Sequence, residues 1–110
     1  MSLLTFLCAA AIAVNGDTLR CANLEAANGR VRLARIDAPE RGEVGFDEAR
    51  NALTTMIEGQ IVRCTLIDAD PRTAAFERTD RYGSAVARCR VGPRDLGTAM
   101  IERKHARVWP

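Results

Sequence analysis

A chain of 110 residues with 47% hydrophobic and 27% charged side chains has the composition of a globular protein, which excludes a largely disordered chain and suits a single domain, residues 1–110. Its formal net charge of +2 is too small to argue for nucleic acid by itself, so phosphate binding would have to follow from where the arginines cluster.

Met1 to Val14 imitates the apolar core of a secretory leader, but it lacks a basic leading segment and is too short to span a bilayer. It reads as a strand. No other segment is apolar enough for a membrane. The run Phe6 to Val14 meets Asn15-Gly16, a favoured two-residue hairpin turn, and Asp17 to Cys21 follows, so two antiparallel strands are expected with Asp17 at the turn. Asn28-Gly29 predicts a second hairpin, pairing Leu19 to Leu24 with Arg30 to Ile36.

Phe46, Ala49, Leu53, Met56 and Ile57 recur at helical spacing before Gly59, a residue suited to a C-cap, and predict a helix from about Phe46 to Glu58. Val62, Cys64 and Leu66 alternate with Arg63 and Thr65, and Ala85, Ala87, Cys89 and Val91 alternate with Val86, Arg88 and Arg90; both patterns predict half-buried strands. The arginines on them read as a solvated face. Between them, Asp68 to Gly83 is a polar loop carrying Pro71, Arg72, Arg78, Asp80, Arg81 and Tyr82, long enough to suggest a role. Pro93 and Asp95 open a second helix through about Arg103. This element order predicts an α+β, mainly β fold: a five-stranded Greek-key barrel of OB type with two helices.

Cys8, Cys21, Cys64 and Cys89 lack the C-x-x-C spacing of a zinc site. They read either as core thiols, which pack as small hydrophobes, or as disulfides joining Cys8 to Cys21 and Cys64 to Cys89. Spacing alone does not choose, since four cysteines allow three pairings.

The stretch Arg30 to Glu40, R-V-R-L-A-R-I-D-A-P-E, carries the densest chemistry. Alternation sends Arg32 to one face of a strand, while Asp37 and Glu40 lie past its end, with Pro39 favouring an extended backbone at Ala38. An arginine can grip phosphate through two parallel hydrogen bonds, and neighbouring carboxylates need that arginine or a metal ion to offset their repulsion. His105, the lone histidine, and Trp109 lie outside every motif and read as structural or rim residues.

Asn15-Gly16-Asp17-Thr18, the run Arg32 to Glu40, and Asp80-Arg81-Tyr82-Gly83, in this order around a helix, resemble the staphylococcal nuclease (thermonuclease) family over nearly the whole chain. The resemblance implies an OB-type barrel and a Ca2+-dependent phosphodiesterase acting on DNA or RNA. It also implies that Asp17 and Asp37 are metal carboxylates, that Ala38 offers its backbone carbonyl, that Glu40 activates water and that Arg32 grips the phosphate. Arg81 and Tyr82 match nucleotide-contacting positions. Three departures stand out: Ser84 occupies the place of the family's second phosphate-gripping arginine, Asn15 that of an aspartate, and Lys104 that of a glycine. The alternative is a catalytically degenerate domain that binds nucleic acid or a protein partner without cutting. A monomer with no membrane association is expected, and family analogy with the even cysteine count points to a secreted or periplasmic location.

Overall fold

In the computed structural model, which describes residues 4–24, 26–70 and 72–109, two of the expected strands are each broken in two. The first apolar run forms β1 (Thr5–Cys8) and β2 (Ile12–Asn15). Between them Ala10 has φ 56°, a left-handed conformation that costs an L-residue roughly 1–2 kcal/mol and cannot continue a strand. After β3 (Thr18–Arg20) comes β4 (Arg30–Leu33), and Arg35, at φ 63°, separates it from β5 (Ile36–Asp37). Then follow α1 (Phe46–Ile57), β6 (Val62–Leu66), β7 (Ala85–Val91), β8 (Arg94–Asp95), α2 (Leu96–Glu102) and β9 (Arg107–Val108). Met1 to Leu3 of the expected first strand, and Pro71 of the expected loop, lie outside the described residues.

Neither turn follows the expected two-residue geometry. Asn15 pairs with Thr18, leaving Gly16 and Asp17 as the loop. Positive φ at Asn15 and Gly16, which a type I′ turn centred on them requires, is absent. The second connection is longer: Arg20 pairs with Arg30, and the turn Ala26–Gly29, left-handed at Ala27 and Asn28, immediately precedes β4. Asn28 and Gly29 there have the expected positive φ, 52° and 76°.

The fold is α+β and mainly β, built on a mixed seven-stranded sheet with strand order β1-β6-β7-β4-β3-β2 and β8 beside β7; a separate two-stranded sheet joins β5 to β9. The β4–β7 ladder is parallel, in the register Val31↔Ala85, and the others are antiparallel. This is an open path rather than the expected five-stranded barrel, since among the described residues no ladder joins β1 to β2. Those two end strands are nonetheless consecutive in the chain.

One face of each helix closes the core. Helix α1 buries Phe46, Ala49, Leu53, Met56 and Ile57, as its spacing predicts, and α2 buries Leu96, Ala99 and Met100. They pack with Leu19, Val31, Leu33 and Val62 from the sheet. The cysteines form disulfides, Cys8–Cys21 and Cys64–Cys89, so the core-thiol reading does not hold. Cys64 and Cys89 stand directly opposite each other on β6 and β7, with Cα atoms 4.1 Å apart. Two disulfides are consistent with an extracellular or oxidising compartment. Among the described residues no helix is long and apolar enough to cross a membrane.

Candidate metal and phosphate site

The site begins with a close approach that only glycine permits. A Cβ built on Gly16 would lie 2.7 Å from the Ala49 Cβ on α1 and 2.8 Å from the Ala38 Cβ. Without it, the β2–β3 turn seats against both, and Asp17 comes to lie beside Ala38. The turn is then fixed by hydrogen bonds. The backbone N–H of Asp17 donates to Asn15 Oδ1 at 2.9 Å, the Thr18 hydroxyl to Asp17 Oδ1 at 2.8 Å, and the Ala38 N–H to Asp17 Oδ2 at 2.9 Å. Asp17 is only 1% exposed. A buried carboxylate has to be compensated by such donors or by cations.

Two cations approach. Arg32, paired with Thr18 on one side and Val86 on the other, places Nη2 3.9 Å from Asp17 Oδ2 and 3.9 Å from Asp37 Oδ1. The same nitrogen donates to the Ile36 carbonyl at 3.2 Å, which fixes the guanidinium between the two acids. The left-handed turn at Arg35 makes this possible, because it redirects the chain so that Ile36 enters the core while Asp37 stays half-buried at the surface. Asp37 faces Arg107 in the β5–β9 ladder, and its Oδ2 accepts from Arg107 Nη2 at 3.0 Å and Nε at 3.2 Å.

Glu40 completes the group, its backbone N–H donating to Glu43 Oε1 at 2.6 Å. Asp17, Asp37 and Glu40 each offer one oxygen, and these oxygens lie within 4.8 Å of one another. The Glu40 carboxyl is pushed above its ordinary value, first by partial desolvation and then by the charge of Asp17; Arg32 opposes the rise, and Asp37 and Glu43 add to it. Three carboxylates crowd around one point.

Their chemistry fits a hard divalent cation. Calcium takes carboxylate and carbonyl oxygens at about 2.3–2.6 Å, so two oxygens on one ion are separated by at most about twice that distance. The observed spread lies within this limit. Asn15, whose side chain serves the turn, adds no further negative charge.

Arg81 and Tyr82 are not joined to the three acids by any hydrogen bond or ion pair among the described residues. Arg81 stacks on the Tyr82 ring, Cζ 5.0 Å from its centroid, and donates from Nη2 to the Tyr82 hydroxyl at 2.9 Å. Asp80 Oδ1 shapes the turn beneath them by accepting from the N–H groups of Tyr82 and Ser84. Tyr82 is exposed and Ser84 is buried. Arg72, another cation of this loop, is held by Asp70 at 2.9 Å, and its hydrogen bonds keep the Asp70 carboxyl below its usual range.

No protein-family model matches the chain, and no curated protein matches it in sequence. The grouping of Asp17, Asp37, Glu40 and Arg32 therefore stands on short motifs and on geometry. Arg107 is the residue that sequence reasoning missed. It lies seventy positions from Asp37, and only the pairing of two very short strands brings them together. Beside it a cleft of about 550 Å³ runs along Asp37, Ala38, Pro39, Lys104 and His105.

Proposed function

We propose that the chain is a Ca2+-dependent phosphodiesterase acting on DNA or RNA, with a site built from Asp17, Asp37, Glu40 and Arg32. The observation that carries this reading is the convergence of three carboxylate oxygens within 4.8 Å beside an arginine held 3.9 Å from two of the acids. Asp17 and Asp37, with the Ala38 carbonyl, would hold the ion, which when bound supplies positive charge where the phosphoryl oxygens gain negative charge. Arg32 stabilises the same developing charge from a position fixed by the Ile36 carbonyl. Glu40, whose carboxyl binds its proton more tightly than usual, is the base that takes the proton from the attacking water. Arg81 and Tyr82 offer an exposed cation and ring for nucleotide contact.

The barrel of the nuclease family belongs to the same reading. Support comes from the strand order, whose two ends, β1 and β2, are consecutive in the chain, and from the parallel β4–β7 ladder. The disulfides favour an exported enzyme.

A second reading, binding without cleavage, is favoured by Ser84, which supplies no cation where the resemblance implies one. Incubation with single-stranded DNA in calcium and in chelator separates the two. Calcium-dependent cleavage is expected; retained binding with no cleavage would replace the enzyme by the binding domain.

A further inference from the structure

We propose that Arg107 is a second phosphate-binding residue of this site, resting on Asp37 until that carboxylate is shared with a divalent ion. The inference builds on the phosphodiesterase reading above but is carried by separate observations. Two guanidinium groups meet the one carboxylate from different sides: Arg32 stands 3.9 Å from Oδ1, and Arg107 places Nη2 3.0 Å and Nε 3.2 Å from Oδ2. They differ in freedom. The Arg32 side chain is 25% exposed and also tied to a carbonyl, whereas that of Arg107 is 75% exposed and has Asp37 as its only hydrogen-bonding or charged partner among the described residues.

Asp37 cannot serve Arg107 and a divalent ion equally. An ion held by Asp17 and Asp37 would share that charge, so the Asp37 oxygen would attract the guanidinium less and the Nε and Nη2 N–H groups that now face it would be available to an anion. A planar guanidinium fork fits two phosphate oxygens. Lys104 lines the same cleft as Arg107, together with the carboxylates Asp37 and Glu43, so two cations of the chain meet there. That chemistry suits a phosphodiester backbone, contacted through its charge and not through its bases.

The test uses the intact chain and Arg107→Ala, Arg107→Gln and Arg107→Lys variants. Calcium affinity is measured by calorimetry, and binding of a fluorescein-labelled single-stranded oligonucleotide in calcium is followed across a salt series, with cleavage measured in parallel. Loss of one phosphate contact should lower the slope of log affinity against log salt by about 0.7. Cleavage should fall about a hundredfold or more, with calcium binding undiminished and partial rescue of binding by lysine. A residue that merely stitched β9 to β5 would leave the salt slope alone. Unchanged slope and affinity in the Ala and Gln variants overturn the proposal while leaving a cleaving wild type as an enzyme. A wild type that binds without cleaving sinks the enzyme reading, yet a reduced slope in the variants still supports Arg107. A wild type that does not bind the oligonucleotide overturns both.

Discussion

Asp17 Oδ2 accepts a hydrogen bond from the backbone N–H of Ala38 at 2.9 Å, so the carboxylate of one turn is locked to the residue that follows Asp37. The contact does two things at once. It satisfies a buried N–H, and it fixes the distance between two of the acids that would share an ion. Asp17→Ala removes both acceptor oxygens and should destabilise the protein by about 1–3 kcal/mol; Asp17→Asn removes the charge but keeps one acceptor for the Ala38 N–H, with the Thr18 hydroxyl able to turn and accept from the new amide. In the wild type, saturating calcium should raise the urea midpoint, because an ion that binds only the folded state adds to its stability. Both variants should lose most of that rise, and the Ala variant should also start lower without calcium. Equal calcium stabilisation in all three proteins would remove Asp17 from the ligand set.

Gly16 offers a test that leaves every polar group in place. A methyl there would press on the Cβ atoms of Ala49 and Ala38 at 2.7 Å and 2.8 Å, and neither neighbour can rotate away. Overpacking of this kind costs about 1–3 kcal/mol. Because the turn has to lift off α1 and the Ala38 segment to relieve the clash, Gly16→Ala should also weaken calcium binding, although it removes no ligand. Chemical denaturation and calorimetry on one preparation would measure both effects.

What the sequence could and could not reveal follows from which interactions are local. Helix α1 was legible because five apolar positions at helical spacing mark one face, and Asp95 marks the start of α2 because its side chain accepts from the Thr98 N–H three residues on. The broken strands were not legible, since nothing about Ala10 or Arg35 as residue types announces a left-handed backbone. The carboxylates of the candidate site lie in motifs spanning a few residues each, which is why the sequence singles them out. Arg107 was missed because its partner is fixed by tertiary pairing. Gly16 does sit in a turn, but the glycine is required by the approach of Ala49 and Ala38 and not by positive φ.

The pH dependence of the metal-free protein should carry the signature of Glu40. Its carboxyl is raised above the ordinary carboxylate value in the folded state, so the folded form holds that proton more tightly than the unfolded form does. The resulting stabilisation is fully present below the unfolded value and is lost as pH rises through the folded one. Glu40→Gln removes this titration. The stability of the variant relative to wild type should therefore increase as pH rises from about 4 towards 7, as followed by urea unfolding in chelator. The effect should be modest, because Glu40 is exposed and solvent screens its charge. A difference that stays flat across this range would contradict the raised value.

Ser84→Arg tests whether the proposed site gains from a second cation at this position. Ser84 is 3% exposed and its N–H is bonded to Asp80 Oδ1, so a long side chain here has to push outward from a buried backbone. A stability loss of about 1–3 kcal/mol is expected. Measured well below the melting transition, calcium-dependent cleavage should rise by up to about a hundredfold, the amount that one transition-state donor commonly supplies. A folded variant with no gain would place the limit on turnover elsewhere, with Asn15 the next position to exchange.

Lys104 gives a prediction about stability that does not depend on the site's chemistry. Helix α2 ends with the Lys104 N–H donating to the Ile101 carbonyl and the His105 N–H to the Met100 carbonyl, both at 2.9 Å, the paired bonds of a Schellman motif. The residue in the left-handed position is Lys104, at φ 64°, where glycine is the usual occupant because it has no Cβ to crowd the neighbouring carbonyl. Lys104→Gly relieves a strain of roughly 1–2 kcal/mol and gives back part of it through the greater freedom of glycine in the unfolded chain. A net gain of about 0.5–1 kcal/mol is expected, corresponding to a rise of a few degrees in Tm for a domain of about 100 residues. Lys104→Ala separates backbone strain from loss of the charge, because alanine keeps the Cβ and removes the ammonium. Calorimetric melting should therefore rank glycine above both lysine and alanine. If alanine stabilises as much as glycine, the lysine charge and not the left-handed backbone is the source of the cost.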